Sequence, residues 1–307
     1  MASAVVPPSD HLVWSRTSVD GRPALYGVAG EGLPVLFLHG WGLGQHAYKR
    51  ALKRLVQIGC QVYAPALPGF GGTAELPGDQ LSFAGYADWV AAFLDAVGVT
   101  EQVFLVGHSF GGGVSIKFAH DHADRVRYLV LVNSLGGSMA GRPLWDWGIH
   151  FPGDVFPFSI RQVLPVVLED ALPNVIRNPR AMWKVANLAR TADLTPELEQ
   201  IKENQLPVVV LWGDKDKIIP KSAFDALCTA IGKEGSVIEG SHSWLLADPE
   251  AFVEVITNDI EVAQMARSME AANASLASTR RRRRLAALPR LLPSLRAKAP
   301  SGDSAKP

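Results

Sequence analysis

One serine is set for covalent chemistry. Ser109 stands in Gly107-His108-Ser109-Phe110-Gly111, a Gly-x-Ser-x-Gly pattern. An apolar run at 103–106 precedes it, and a helical pattern follows from Ser109 to His122. A hydroxyl on a sharp strand-to-helix turn is exposed for attack, and its neighbours must be small because the backbone there is crowded and strained. Gly107 and Gly111 supply that room, and Gly112 and Gly113 extend it. The helix start aims free N–H groups at any negative charge that develops there. A serine hydroxyl alone is a weak nucleophile. It needs a base, a group that orients the base, and donors for an oxyanion.

The base is sought among eight histidines: His11, His39, His46, His108, His120, His122, His150 and His242. Only His242 follows the last apolar run, in Gly240-Ser241-His242-Ser243-Trp244, where a loop can return to the carboxyl edge of a sheet. His39 and His108 stand beside motif glycines and read as structural. His120 and His122 are two apart on a predicted helix, so they face different ways and do not form a metal pair. The orienting acid should follow a late strand. Gly213-Asp214-Lys215-Asp216 offers two candidates, and the residues alone do not choose between Asp214 and Asp216. The aspartate not used would be a turn residue or a lysine partner. For the oxyanion, the Phe110 N–H follows the nucleophile. The loop His39-Gly40-Trp41-Gly42 offers the Trp41 N–H as a second donor. Each such donor is worth about 2.7–4 kcal/mol in a transition state.

These residues need a frame that brings distant segments to one edge. Apolar runs without polar alternation recur at 34–38, 61–64, 103–107, 128–133, 207–212 and 236–239. That is the pattern of strands buried on both faces of a parallel sheet. Between them lie helical patterns. The clearest is Phe83, Tyr86, Trp89, Val90, Phe93, Leu94 and Val97, with steps of three and four. Residues 223–231 and 249–262 also read as helices. The alternation predicts an α/β fold with a mostly parallel central sheet and helices on both faces. Segments 11–18 and 24–28 read as a leading antiparallel pair. Between 136 and 206 the alternation fails. Prolines, helical pieces and the aromatics Trp145, Trp147, Phe151, Phe156, Phe158 and Trp183 take over. This stretch reads as a helical cap inserted at 135–206, splitting a core of 1–134 and 207–265. Trp41, Trp145, Trp147, Phe151 and Trp183 are the candidate substrate-binding aromatics, as an apolar pocket roof. The cap's own small core is the competing account.

Composition excludes other classes. The chain is 48% hydrophobic, enough for a buried core. Cys60 and Cys228 make neither a disulfide scaffold nor a four-ligand zinc site. No apolar run reaches the roughly 18–20 residues that cross a bilayer. The start lacks a basic region followed by a continuous apolar one, so a cytoplasmic protein is expected. The net charge of zero conceals an asymmetry: residues 267–307 carry +8 and residues 1–266 carry −8. The tail at 266–307 is rich in Ala, Ser, Pro and Arg and reads as largely disordered, with a helical piece near 285–295. Its basic stretch at 280–298 is a candidate for weak contact with anionic membranes; no specific nucleic-acid partner is expected. The oligomeric state is not legible.

The chain resembles the α/β-hydrolase family, in particular its cap-bearing serine hydrolases, over about residues 11–265. The resemblance rests on His39-Gly40-Trp41-Gly42, Pro68-Gly69-Phe70-Gly71, Gly107-His108-Ser109-Phe110-Gly111-Gly112, Gly213-Asp214-Lys215-Asp216 with Pro220, and Gly240-Ser241-His242-Ser243. It implies Asp216 as the catalytic acid, three residues after Gly213, in the chain order Ser109, Asp216, His242. It implies a Ser-His-Asp mechanism through an acyl-enzyme, with no metal or organic cofactor. Family members with epoxide hydrolase or haloalkane dehalogenase activity use an aspartate nucleophile, which Ser109 replaces here. The expected substrate is a small or medium apolar carboxylic ester. The alternatives are a ring-cleavage product cut at a C–C bond, or a membrane lipid. Similar sequences also include cofactor-free haloperoxidases. Arg142, Arg161, Arg177, Arg180 and Arg190 in the insertion would serve either a dicarboxylate-like substrate or a charged helix surface. A non-catalytic binder on the same fold is the reading from another class; the intact Ser109, Asp216 and His242 argue against it.

Overall fold

The computed structural model describes residues 11–137 and 172–286, with Val166, Leu168 and Glu169 between them. The chain forms two units, Met1–Ala263 and Gln264–Pro307. The first holds an eight-stranded sheet. Its strands are β1 (Val13–Val19), β2 (Arg22–Ala29), β3 (Leu33–Leu38), β4 (Cys60–Pro65), β5 (Val103–His108), β6 (Val126–Val132), β7 (Val208–Gly213) and β8 (Ser236–Ile238). They lie in the order β1-β2-β4-β3-β5-β6-β7-β8. β1 and β2 form an antiparallel hairpin closed by Asp20 and Gly21, both at positive φ, as a two-residue hairpin turn requires. β2 joins β4 antiparallel, and every pairing from β4 to β8 is parallel. β3 and β5 are buried along their whole length. That is why the sequence shows unbroken apolar runs there.

Alternate residues of these strands feed two cores. Leu36, Leu38, Leu105, Leu129 and Leu131 belong to one. Val35, Phe37, Phe104, Val106, Val130 and Val132 belong to the other, on the opposite face. The first core is completed by α2 (Phe83–Ala96), α3 (Phe110–Asp121), α6 (Thr195–Glu203) and α7 (Lys221–Ile231). The second is completed by α1 (Lys49–Gln57), Leu245 of α8 (Trp244–Ala247), and Phe252, Ile256 and Ile260 of α9 (Pro249–Ala286). Helix α2 buries Phe83, Tyr86, Trp89, Val90, Phe93 and Leu94, the stripe its periodicity predicts.

Three described helices stand between β6 and β7: α4 (Leu172–Arg177), α5 (Pro179–Arg190) and α6. α6 differs from a roof. Its Leu198 and Ile201, with Leu194 before it, join the core on the sheet, because steps of three and four aim them at one face. The backbone of α9 is helical through Ala286, past residue 266 where a disordered tail was expected. No glycine or proline occurs from Glu250 to Leu288, and the run is rich in Ala, Met, Glu and Arg, which favour helix. Among the described residues, no helix is long and apolar enough to cross a membrane.

Phe104 is fully buried and stacks on Tyr128 with ring centroids 4.9 Å apart. Phe104→Ala should therefore lower the unfolding free energy by about 3–5 kcal/mol, read as a shift of the urea midpoint.

Candidate active site

The carboxyl ends of β5, β6 and β7 converge on Ser109, Asn133 and Asp216. Ser109 links β5 directly to α3 and takes φ 54°, ψ −116°. A non-glycine residue held there is strained by about 1–3 kcal/mol. Four backbone hydrogen bonds hold it: the Ser109 N–H donates to Val132 O at 3.1 Å, and Ser109 O accepts from Gly112 N at 3.0 Å, Gly113 N at 3.3 Å and Leu135 N at 3.1 Å. The flanking glycines are required by contact. A Cβ on Gly111 would lie 2.6 Å from His39 O, and one on Gly107 would lie 2.6 Å from Gly111 O.

Asp216 sits in the turn after β7 and is 8% exposed. One oxygen accepts from Ile218 N at 2.7 Å and Ile219 N at 2.8 Å. The other accepts from Asn133 Nδ2 at 2.5 Å and faces His242 Nδ1 at 2.8 Å. Burial pushes the carboxyl's pKa up. The His242 imidazole, its hydrogen bond and those from Asn133 and Ile219 outweigh this and hold the group below the usual carboxylate value. The carboxylate fixes a His242 proton on Nδ1. Asn133 has a second bond, accepting from Trp244 Nε1 at 2.8 Å.

The residue before the serine also holds the histidine. His108 Nε2 donates to the backbone O of His242 at 2.9 Å, and the two rings lie 4.9 Å apart. With that proton on Nε2, His108 Nδ1 accepts from Tyr48 OH at 2.7 Å, and Tyr48 OH accepts from Gly40 N at 3.0 Å. This chain ties His242 to the loop that carries Trp41. His39 Nε2 accepts from Leu67 N at 2.8 Å. Burial lowers the pKa of His39 to about 4 and of His108 to about 3, so both stay neutral, in the structural places their sequence positions suggested.

Among the described residues, the backbone N–H groups of Trp41 and Phe110 have no hydrogen-bond acceptor. The Trp41 side chain is anchored instead, its Nε1 donating to Met182 O of α5 at 3.1 Å. Asn174 of α4 is a second anchor. Its Nδ2 donates to Gly42 O at 3.0 Å, and its Oδ1 accepts from Gly71 N at 3.1 Å. Asp214 stands apart from the histidine and accepts from Gly240 N at 2.9 Å, a turn-closing role. Trp183 is 62% exposed on α5, while Met182 and Val185 beside it are buried. Trp145, Trp147 and Phe151 lie outside the described residues. Sequence reasoning missed Asn133, Trp244, Tyr48 and Asn174. Asn133 left a trace, a polar residue closing an apolar strand run; Asn174 left none.

A serine at a strained strand-to-helix turn and a buried acid–imidazole pair lie at the carboxyl edge of one mostly parallel sheet, which is an α/β architecture. Comparison with known proteins agrees. Residues 35–255 match the model of the alpha/beta hydrolase family, and the chain belongs to that family. It is 39% identical to the 2-hydroxymuconate semialdehyde hydrolase of a Pseudomonas species over 209 residues, 62% of this chain and 73% of that protein. It is 25% identical to Lipase 1 of Psychrobacter immobilis over 238 residues, 69% of this chain and 71% of the lipase. In fold it matches an esterase from Exiguobacterium antarcticum with a TM-score of 0.69 at 22% identity, covering 81% of this chain and all of the esterase.

Two predictions follow from the buried polar groups. Asn133→Ala leaves a buried carboxylate short of one donor, and should cost about 1.5–3 kcal/mol of stability in urea unfolding. His39 and His108 bind no proton in the folded chain until well below the ordinary histidine value of 6.5. The unfolded chain takes up these protons first, so stability falls as pH drops from about 6.5 towards 4. The slope is about 1.4 kcal/mol per pH unit for each ring. Asp216, held low, acts in the same direction only further down, below the ordinary carboxylate value. A urea midpoint unchanged between pH 7 and pH 4.5 would contradict neutral burial of the two imidazoles.

Proposed function

We propose that this chain is a serine hydrolase that cleaves small or medium apolar carboxylic esters through an acyl-enzyme. The observation that carries this reading is the Asp216–His242 contact of 2.8 Å at the sheet edge where Ser109 holds its strained turn. In the proposed cycle, His242 Nε2 takes the Ser109 Oγ proton while Oγ attacks the acyl carbon. The carbonyl oxygen becomes an oxyanion and accepts from the Trp41 and Phe110 N–H groups. Asp216 stabilises the imidazolium. The tetrahedral adduct collapses, the ester C–O bond breaks, and the leaving alkoxide takes the proton from His242. Water, deprotonated by the same nitrogen, then attacks the acyl-enzyme, and its collapse returns the proton to Ser109. No step draws on a metal or organic cofactor. The cytoplasm is the proposed compartment.

A second reading has its own support. The relative at 39% identity is a hydrolase of 2-hydroxymuconate semialdehyde, so a ring-cleavage product cut at a C–C bond is the competing substrate class. One assay separates the two. Hydrolysis of p-nitrophenyl esters from C2 to C16 should show an optimum at short or medium length. Ser109→Ala should lower kcat by at least about 10³-fold with the fold retained. Activity on a vinylogous 1,5-diketone with none on any ester would favour the C–C reading. A fluorophosphonate probe should label wild type at Ser109; an unlabelled, inert protein would return the chain to the class of ligand binders.

A further inference from the structure

The outer faces of α4 and α5 combine two properties that a soluble surface keeps apart. On α4, Leu172, Val175 and Ile176 are exposed to 45%, 40% and 69%, at steps of three and one that place them on one side. On α5, Arg180, Trp183, Lys184 and Asn187 are exposed at steps of three, one and three, again one stripe. The opposite side of α5 buries Ala181, Met182, Val185, Ala186 and Ala189. The orientation of both helices is thus set by their packing, and by the tethers Asn174 to Gly42 and Trp41 to Met182. The exposed apolar residues cannot turn inward without breaking those contacts.

The charge on this surface is one-sided. From Leu172 to Ala192 the chain has Arg177, Arg180, Lys184 and Arg190 and no carboxylate. Residues 1–266 as a whole carry −8, so the cationic stripe stands against the charge of its own body. Among the described residues, Arg177, Arg180 and Lys184 form no ion pair. Glu169 is the described carboxylate just before the stripe. Exposed aliphatic side chains and an exposed tryptophan, interleaved with cations and free of acids, are the composition of helices that lie in a bilayer's headgroup layer. The apolar side chains enter the acyl boundary. The cations meet anionic headgroups, each with an attraction that falls off within a Debye length. An ordinary protein partner would not require the uniform sign, and a nucleic acid would not require Leu172, Val175 and Ile176.

We propose that the α4–α5 face is a docking surface for an anionic lipid bilayer. It places the insertion against the membrane, and among the described residues no helix is long and apolar enough to cross one. The basic run at 280–284 is a different stretch of sequence and would act by charge alone.

The test is co-sedimentation of the full-length protein with vesicles of phosphatidylcholine, with and without 30% phosphatidylglycerol, at low and physiological salt. Wild type should bind the anionic vesicles and leave the neutral ones largely free. The triple variant Arg177→Glu, Arg180→Glu, Lys184→Glu should lose at least about 100-fold in partition coefficient. Ile176→Ser should lose several-fold, with binding more salt-sensitive because the apolar share is gone. Both variants alter exposed side chains, and a circular-dichroism melt matching wild type confirms that each is folded. In vesicles carrying brominated acyl chains, tryptophan fluorescence should be quenched, and Trp183→Phe should abolish most of the quenching. A control variant with Arg280 to Arg284 all changed to Gln keeps the α4–α5 face. Binding lost in this control but kept in the triple variant would overturn the proposal and assign the contact to the basic run. Absence of binding to anionic vesicles, equal binding of wild type and triple variant, or association with duplex DNA but with no vesicle would overturn it as well.

Discussion

A buried negative charge organises this molecule. Asp216 keeps its proton off inside the protein only because four donors surround it: two backbone N–H groups, the Asn133 amide and the His242 imidazole. An isolated carboxylate at that depth would take up a proton, since charge is costly away from water. The donors come from three different requirements of the fold. Ile218 and Ile219 need the turn after β7. Asn133 needs the end of β6 and the Trp244 indole that holds its oxygen. His242 needs the loop after β8, with its backbone fixed by His108. The order of strands β5, β6, β7 and β8 in the sheet is what lets all of these meet.

The turn at Ser109 is the mirror of this arrangement. There the difficulty is backbone strain, and the answer is close packing. Ser109 stays at positive φ because its N–H and O are bonded to Val132, Gly112 and Leu135, and because glycines let α3 approach β3 to contact distance. Among the described residues, the N–H groups of Phe110 and Trp41 at this edge have no acceptor.

The insertion packs buried apolar residues into the core on the sheet and adds specific polar tethers near that edge. Asn174 spans Gly42 and Gly71, and the Trp41 indole reaches Met182. Both tethers end on the loop that carries Trp41. The position of α4 and α5 therefore bears on the placement of Trp41, and the outward face of these helices is held in its orientation by the same bonds.

The fold class and the turn at Ser109 were legible because their signals are local. A glycine-flanked serine after an apolar run signals its turn within five residues, and unbroken apolar runs signal a parallel sheet whatever lies between them. The α2 stripe and the leading hairpin were legible for the same reason. Asp216 and Asp214 looked alike to physical reasoning, because the choice depends on which oxygen faces an imidazole 26 residues further on. Asn133, Tyr48 and Asn174 were illegible in role, since their partners lie 83, 60 and 132 residues away. Short-range pattern by itself determined the strands, the helices α2, α3 and α7, the start of α9 and the glycine-flanked turn at Ser109. Tertiary structure alone decided which polar side chains surround the buried carboxylate, because hydrogen bonding across a sheet edge depends on strand order and not on spacing along the chain.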